Sequence, residues 1–213
     1  MTRTLRLIGA PTDIGASTRG AGMGPDALRV AGLANTLAGL GFEVIDGGNL
    51  AGPGTPWEVP AEGLHHLPEV IAWNRLVYDA VDQALEAKQL PILLGGDHCI
   101  AVGSISAIAR HVRQRRQKLR VLWLDAHTDV NTETTSPSGN MHGMPVSCLL
   151  GHGPAALTGW SGEPAALAHD AIRFLGIRSV DAEEKSAIRS LGLGVFDMRH
   201  IDEHGMRTTM TEA

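Results

Sequence analysis

Val121-Leu122-Trp123-Leu124-Asp125-Ala126-His127-Thr128-Asp129 decides the fold class of this chain. Four apolar residues in a row read as a short strand buried on both faces. Polarity then inverts within one residue, and three of the next five side chains are carboxylates or imidazole. A strand continued through them would point residues 125, 127 and 129 to one side, because strand side chains alternate. Ligand-type groups at the carboxyl end of a buried strand lie where open α/β sheets keep their sites. The alternative, an Asp-led turn beside a solvated histidine, stays open on this stretch alone.

A second segment repeats the pattern. Pro91-Ile92-Leu93-Leu94 is another short apolar run, and it leads into Gly95-Gly96-Asp97-His98. Paired glycines reach backbone angles closed to other residues, so the chain can turn sharply and aim His98 back over the sheet. Two strands that both end in ligand-type residues are hard to explain by packing. Carboxylate with histidine suits a divalent ion of intermediate hardness, and the lack of clustered cysteine argues against a thiolate zinc site.

Working outward, β-prone segments recur at Leu5–Ile8, Val44–Ile45, Ile172–Ile177 and Val195–Phe196. Helical patterns lie between them. Pro25 to Leu40 begins with proline and is followed by Gly41, a start and a stop signal. Glu69 to Lys88 spaces Val70, Trp73, Val77, Val81, Ala84 and Leu85 at three and four residues, an amphipathic face. Gly103–Gln117 and Glu183–Leu191 are shorter candidates. Strands alternating with helices predict a mostly parallel sheet covered on both faces, in one α/β domain over 1–213. Gly47–His66 and Pro154–Pro164 read as loops, and His65 and His66 read as solvated surface histidines. His111, His152, His169, His200 and His204 lack ligand-like spacing and read the same way.

The 213 residues carry 18 Lys and Arg against 23 Asp and Glu, a formal net charge of −5. That balance predicts no general attraction for nucleic acid or anionic membrane. Arg113, Arg115, Arg116, Lys118 and Arg120 form a local basic run, read as the solvated end of a helix. Cys99 and Cys148, the only two cysteines, form no Cys-x-x-Cys pair, and a reduced, cytoplasmic setting is the expectation. No apolar stretch approaches the roughly 20 residues that a membrane crossing needs.

Gly95-Gly96-Asp97-His98, Asp125-Ala126-His127-Thr128-Asp129-Val130-Asn131 and Ser138-Gly139-Asn140-Met141-His142-Gly143 together closely resemble the ureohydrolases, and within them the arginases. The third segment resembles arginases more than agmatinases. Gly9-Ala10-Pro11 and Gly24-Pro25-Asp26-Ala27-Leu28-Arg29 extend the resemblance to the start of the chain. The implied fold is a three-layer α/β/α sandwich. The implied reaction is hydrolysis of L-arginine to L-ornithine and urea, with hydroxide supplied by two manganese ions.

By the same resemblance, His98 and Asp129 would hold one ion, His127 the other, and Asp125 would bridge them. Asp129 also counts among the catalytic groups, and His142 is the candidate proton shuttle, since histidine titrates near neutral pH. Asn131, Ser138 and Asn140 would receive the α-carboxylate end of the substrate. Asp181 and Glu184 would receive the α-ammonium, with helix capping as the alternative for that pair. Arginases often have Asp where Ser179 stands. The family also carries a later Ser-x-Asp-x-Asp-x-x-Asp-Pro strand that these residues lack. The expectation is therefore a domain incomplete at its C-terminus, with C-terminal strands missing, a weak second manganese site and slow turnover. A homotrimer or hexamer is implied. An agmatinase-like guanidino hydrolase and a non-catalytic binding module are the competing functions.

Overall fold

Thr4–Ala10 forms β1, the middle strand of a ladder in which β2 (Glu43–Asn49) and β3 (Leu90–Gly95) lie on either side. In a computed structural model, which describes residues 3–16, 18–56 and 63–213, both pairings are parallel. A second parallel ladder runs β4 (Val121–Leu124), β5 (Ile172–Ile177), β6 (Gly194–Asp197), with β5 in the middle. The fold is parallel α/β, as the alternation of strands and helices predicts and as the sandwich implied by the resemblance requires. Among the described residues no hydrogen-bonded ladder joins β3 to β4.

The central strands are covered on both faces. Leu7 and Ile8 are adjacent, point oppositely and are both buried, and so are Phe174 and Leu175. β4 departs from its sequence reading. Trp123 is buried, but Leu122 and Leu124, which share the opposite face, are 38% and 60% exposed. An apolar run alone does not report which face is covered.

The helices α1 (Gly24–Val30), α2 (Leu33–Gly39), α3 (Leu67–Glu86), α4 (Ala101–Gln114), α5 (Pro145–Leu149), α6 (Ala182–Leu191) and α7 (Met198–Glu212) fill the connections. The single helix expected over Pro25–Leu40 is two, because Gly32 adopts a left-handed φ of 82° that ends the first turn sequence. α3 buries Val70, Trp73, Val77, Val81 and Ala84, the face its spacing predicts. It packs on α4 through Asn74, whose Oδ1 accepts from the Gly103 amide at 2.7 Å while its Nδ2 donates to the Val70 carbonyl at 2.9 Å. A Cβ at Gly103 would run into the Asn74 carbonyl, so glycine sets how closely the two helices approach. Of the predicted loop over Gly47–His66, β2 takes the first residues and α3 begins directly after its end, and residues 57–62 lie outside the described residues. No helix among those described is long and apolar enough to cross a membrane.

Two apolar cores result. One gathers β1, α3 and part of α4 around Ile8, Trp73, Val77 and Met144; the other gathers β4, β5 and α5 around Trp123, Val146, Leu149 and Phe174. α4 and α5 contribute to both, Val102 and Cys148 to the first and Ala101 and Leu149 to the second.

Candidate active site

The carboxyl ends of β3 and β4 meet across the gap between the ladders. After β3 the chain turns through Gly96, whose φ is 58° and where a Cβ would sit 2.5 Å from the Ala10 carbonyl oxygen. Asp97 then caps a single 3-10 turn, His98–Ile100: its Oδ1 accepts from the Cys99 amide at 2.9 Å and its Oδ2 from the Gly15 amide at 2.8 Å. The turn delivers the half-buried His98 ring onto Trp123, stacked with centroids 4.3 Å apart.

β4 stops at Leu124, so residues 125 to 129 do not line up by strand alternation. The chain bends instead, and Asp129 takes a left-handed φ of 52°, an uncommon conformation for a non-glycine residue. The Val146 and Ser147 amides, at the start of α5, both donate to its carbonyl and hold it there. The bend brings Asp125 and Asp129 to His98, whose Nδ1 lies 2.9 Å from Oδ2 of each. Ligand atoms of these three residues all fall within 4.8 Å of one another. His127 stays outside the group, its side chain 56% exposed and its Nδ1 3.5 Å from Asp125 Oδ1.

Burial by itself would lower the His98 pKa, but the two carboxylates outweigh it and lift the ring to about 9. Burial by itself would raise Asp125, yet His98 and the His127 amide hold it at about 2. One N–H cannot serve two acceptors well, and the buried Asp129 Oδ2 accepts no well-formed hydrogen bond. The His98 proton stands where a multivalent cation would satisfy both carboxylates at once. An imidazole and two carboxylates fit a divalent ion of the manganese type.

A cavity of about 380 Å³ opens beside this cluster, lined by Asn131, Ser136, Pro137, Ser138, Asn140, His142, Gly143 and Glu184 as well as the metal-type residues. His142 is exposed at its mouth, its amide donating to the Gly15 carbonyl at 3.0 Å. Asn140 is buried; Ser138 is exposed, and its Oγ accepts from the Asn140 amide at 3.3 Å.

Asp181 and Glu184 are bound first to each other. Asp181 Oδ1 accepts from the Glu184 amide at 2.8 Å and Glu184 Oε2 from the Asp181 amide at 3.1 Å, a reciprocal cap at the start of α6. Glu184 Oε1 also accepts from Thr128 Oγ1 at 2.8 Å, and Asn131 Nδ2 donates to Asp181 Oδ2 at 2.8 Å. Burial opposes the Asp181 charge, but the Glu184 amide and Asn131 more than compensate and hold its carboxyl below the usual range. Of the residues read as substrate groups, Asn131, Ser138, Asn140 and Glu184 border the cavity, while Asp181 supports them from behind.

Several neighbours were not legible. Thr128 sits inside the Asp-Ala-His-Thr-Asp motif, where its role as a hydroxyl anchor for Glu184 has no spacing signal. Two of the histidines read as solvated are not: His66 is buried, and His65 is half-buried with Nδ1 2.9 Å from Asn140 Oδ1, a bond across 75 residues that no local pattern announces.

A sequence profile described as "Arginase family" matches residues 3–213. The chain is 38% identical over 213 residues to an arginase of Brevibacillus brevis, covering 100% of this chain and 70% of that protein. The native structure of arginase from Bacillus caldovelox superposes with a TM-score of 0.91 at 38% identity, covering 100% of this chain and 70% of that one. An Entamoeba histolytica arginase solved in complex with L-ornithine gives 0.90 at 30% identity, covering 100% and 71%. A family match over residues 3–213, with a relative 38% identical across the whole chain, shows the lineage: the chain belongs to the arginase family.

Proposed function

We propose that this ureohydrolase-type hydrolase acts on L-arginine, adding water across the bond between the guanidinium carbon and the side-chain nitrogen to give L-ornithine and urea. The observation that carries the proposal is the convergence of His98, Asp125 and Asp129 on one point beside a polar cavity, with a buried carboxylate oxygen left unsatisfied there. A manganese ion bound there would supply the chemistry of a water made acidic enough to give hydroxide near neutral pH. His98, Asp125 and Asp129 would hold one ion, and His127 beside Asp125 would be the residue available to another.

The chain's other residues have positional and proton-handling tasks. His142, at the mouth, gives a proton to the departing amine nitrogen, which would otherwise leave as a strongly basic anion. Asn131, Ser138 and Asn140 offer neutral hydrogen bonds to the α-carboxylate, and Glu184, braced by Thr128 and Asp181, offers negative charge to the α-ammonium. The ligand in the E. histolytica structure, L-ornithine, is the amino-acid product of this reaction and supports the choice of substrate.

Urea release from L-arginine by the manganese-loaded chain, with agmatine in parallel, tests the reading. Urea from arginine and not from agmatine is the expected result. Urea from both would shift the assignment to a broader guanidino hydrolase, and binding of arginine without urea would mark a non-catalytic module.

A further inference from the structure

We propose that Thr135 is a positioning residue for substrate selection, fixing the Asn131 side chain that addresses the α-carboxylate. The inference rests on the arginine reading above. Thr135 lies in a tight turn: its amide and that of Ser136 both donate to the Thr132 carbonyl, at 3.2 and 2.9 Å. The turn folds its hydroxyl back onto the residue that precedes it. The Thr132 N–H can only donate, and it donates to Thr135 Oγ1 at 2.8 Å, which leaves the threonine hydrogen for Asn131 Oδ1, also at 2.8 Å. Thr132 Oγ1 is the more distant neighbour at 3.3 Å. At the other end of the amide the ionised Asp181 carboxylate can only accept, and it takes a hydrogen from Asn131 Nδ2 at 2.8 Å. An inverted amide would set oxygen against carboxylate, so the two contacts together allow one orientation.

The rest of Asn131 is held as firmly. It is buried, its backbone N–H donates to the Gly143 carbonyl at 3.2 Å, and its carbonyl accepts from Ser147 Oγ at 2.5 Å. One group remains. The second Nδ2 hydrogen has no partner among the described residues, and Asn131 borders the cavity. A buried donor left without a partner is costly, and a carboxylate is the acceptor that satisfies it best. Thr135 does not line the cavity itself. Its part is to keep Oδ1 occupied, so that the NH2 end and not the oxygen is offered to an anion. An oxygen turned outward would repel a carboxylate, so this hydroxyl bears on selectivity rather than on the chemistry at the metal.

Thr135→Val and Thr135→Ser test the assignment in the manganese-loaded chain: valine keeps the shape without the hydroxyl, and serine keeps the hydroxyl. Removing the donor should raise KM for L-arginine about three- to tenfold, the span expected of one net hydrogen bond, with kcat within about twofold. Competitive inhibition by agmatine, which keeps the amine and lacks the carboxylate, should be unchanged, as should manganese affinity. Thr135→Ser should restore most of the lost affinity for arginine. In amide-resolved NMR spectra the Asn131 side-chain pair, assigned by its disappearance in Asn131→Asp, should shift or broaden in Thr135→Val and return in Thr135→Ser. Equal weakening for arginine and agmatine, an unaltered KM, or Asn131 signals that stay in place in Thr135→Val would overturn the proposal. If the parent chain neither binds nor hydrolyses arginine, the substrate reading fails and takes the carboxylate role with it. The Asn131 signals then still decide whether Thr135 holds the amide.

Discussion

His98 carries its proton into the space between two carboxylates, and a cation has to displace that proton to enter. With the ring near 9 and Asp125 near 2, the histidine is the group that must deprotonate, since Asp125 is already ionised at neutral pH. Manganese affinity should therefore climb with pH up to about 9, and calorimetry in buffers of different ionisation enthalpy should show close to one proton released per ion near pH 7.5. The metal-free chain should behave oppositely. A raised histidine pKa stabilises the fold fully below 6.5, and that contribution is lost as pH rises through about 9, so the metal-free Tm should fall across that interval. Asp129→Asn keeps the shape and removes the charge. It should weaken manganese binding at the His98–Asp125–Asp129 cluster by at least the roughly 10- to 100-fold typical of losing an outer partner, read by metal titration, while the far-ultraviolet spectrum is unchanged.

At the scale of elements, the reciprocal cap on α6 ties a helix start to the floor of the cavity. Asp181→Ala removes the cap and strands the Asn131 amide, which should cost about 1–2 kcal/mol in denaturant unfolding; Asp181→Ser should recover the capping share. Its lowered pKa gives a contribution present above the ordinary value of 3.8 and lost as pH falls through the folded one. The strands were legible as elements because an apolar run needs no partner to be recognised, and α3 because its stripe repeats at helical spacing. α5 and α7 were not expected: α5 is one short turn, and α7 is mostly polar and broken at Gly205, with φ 79° and ψ 152°. Neither has a stripe long enough to read. At the site, the motifs named His98, Asp125 and Asp129, but not the mechanism of their meeting. Strand alternation pointed to 125, 127 and 129, whereas a bend and a left-handed Asp129 exchange His127 for His98 in the inner group. Such a bend depends on amides from α5, which local sequence does not encode.

At the scale of the molecule, the open side of β4 exposes Leu122 and Leu124 next to a strand edge that no described residue pairs, a template for association. Leu124→Lys should reduce light scattering on heating without altering manganese uptake. The separation of the two ladders reaches further. His98 rides on the strand end of one core, and Asp125 and Asp129 on that of the other, so the inner ligands are contributed by both halves. Without a cation the halves are joined by α4, by α5 and by the hydrogen bonds of the 139–142 segment to His65 and Gly15, and they should melt as two cooperative units. An ion seated between them acts as a rivet. At a hundredfold excess over its Kd it should add about 2.7 kcal/mol to whichever opening breaks the seam. Calorimetric scans that resolve two transitions in the stripped chain should then merge into one on adding manganese.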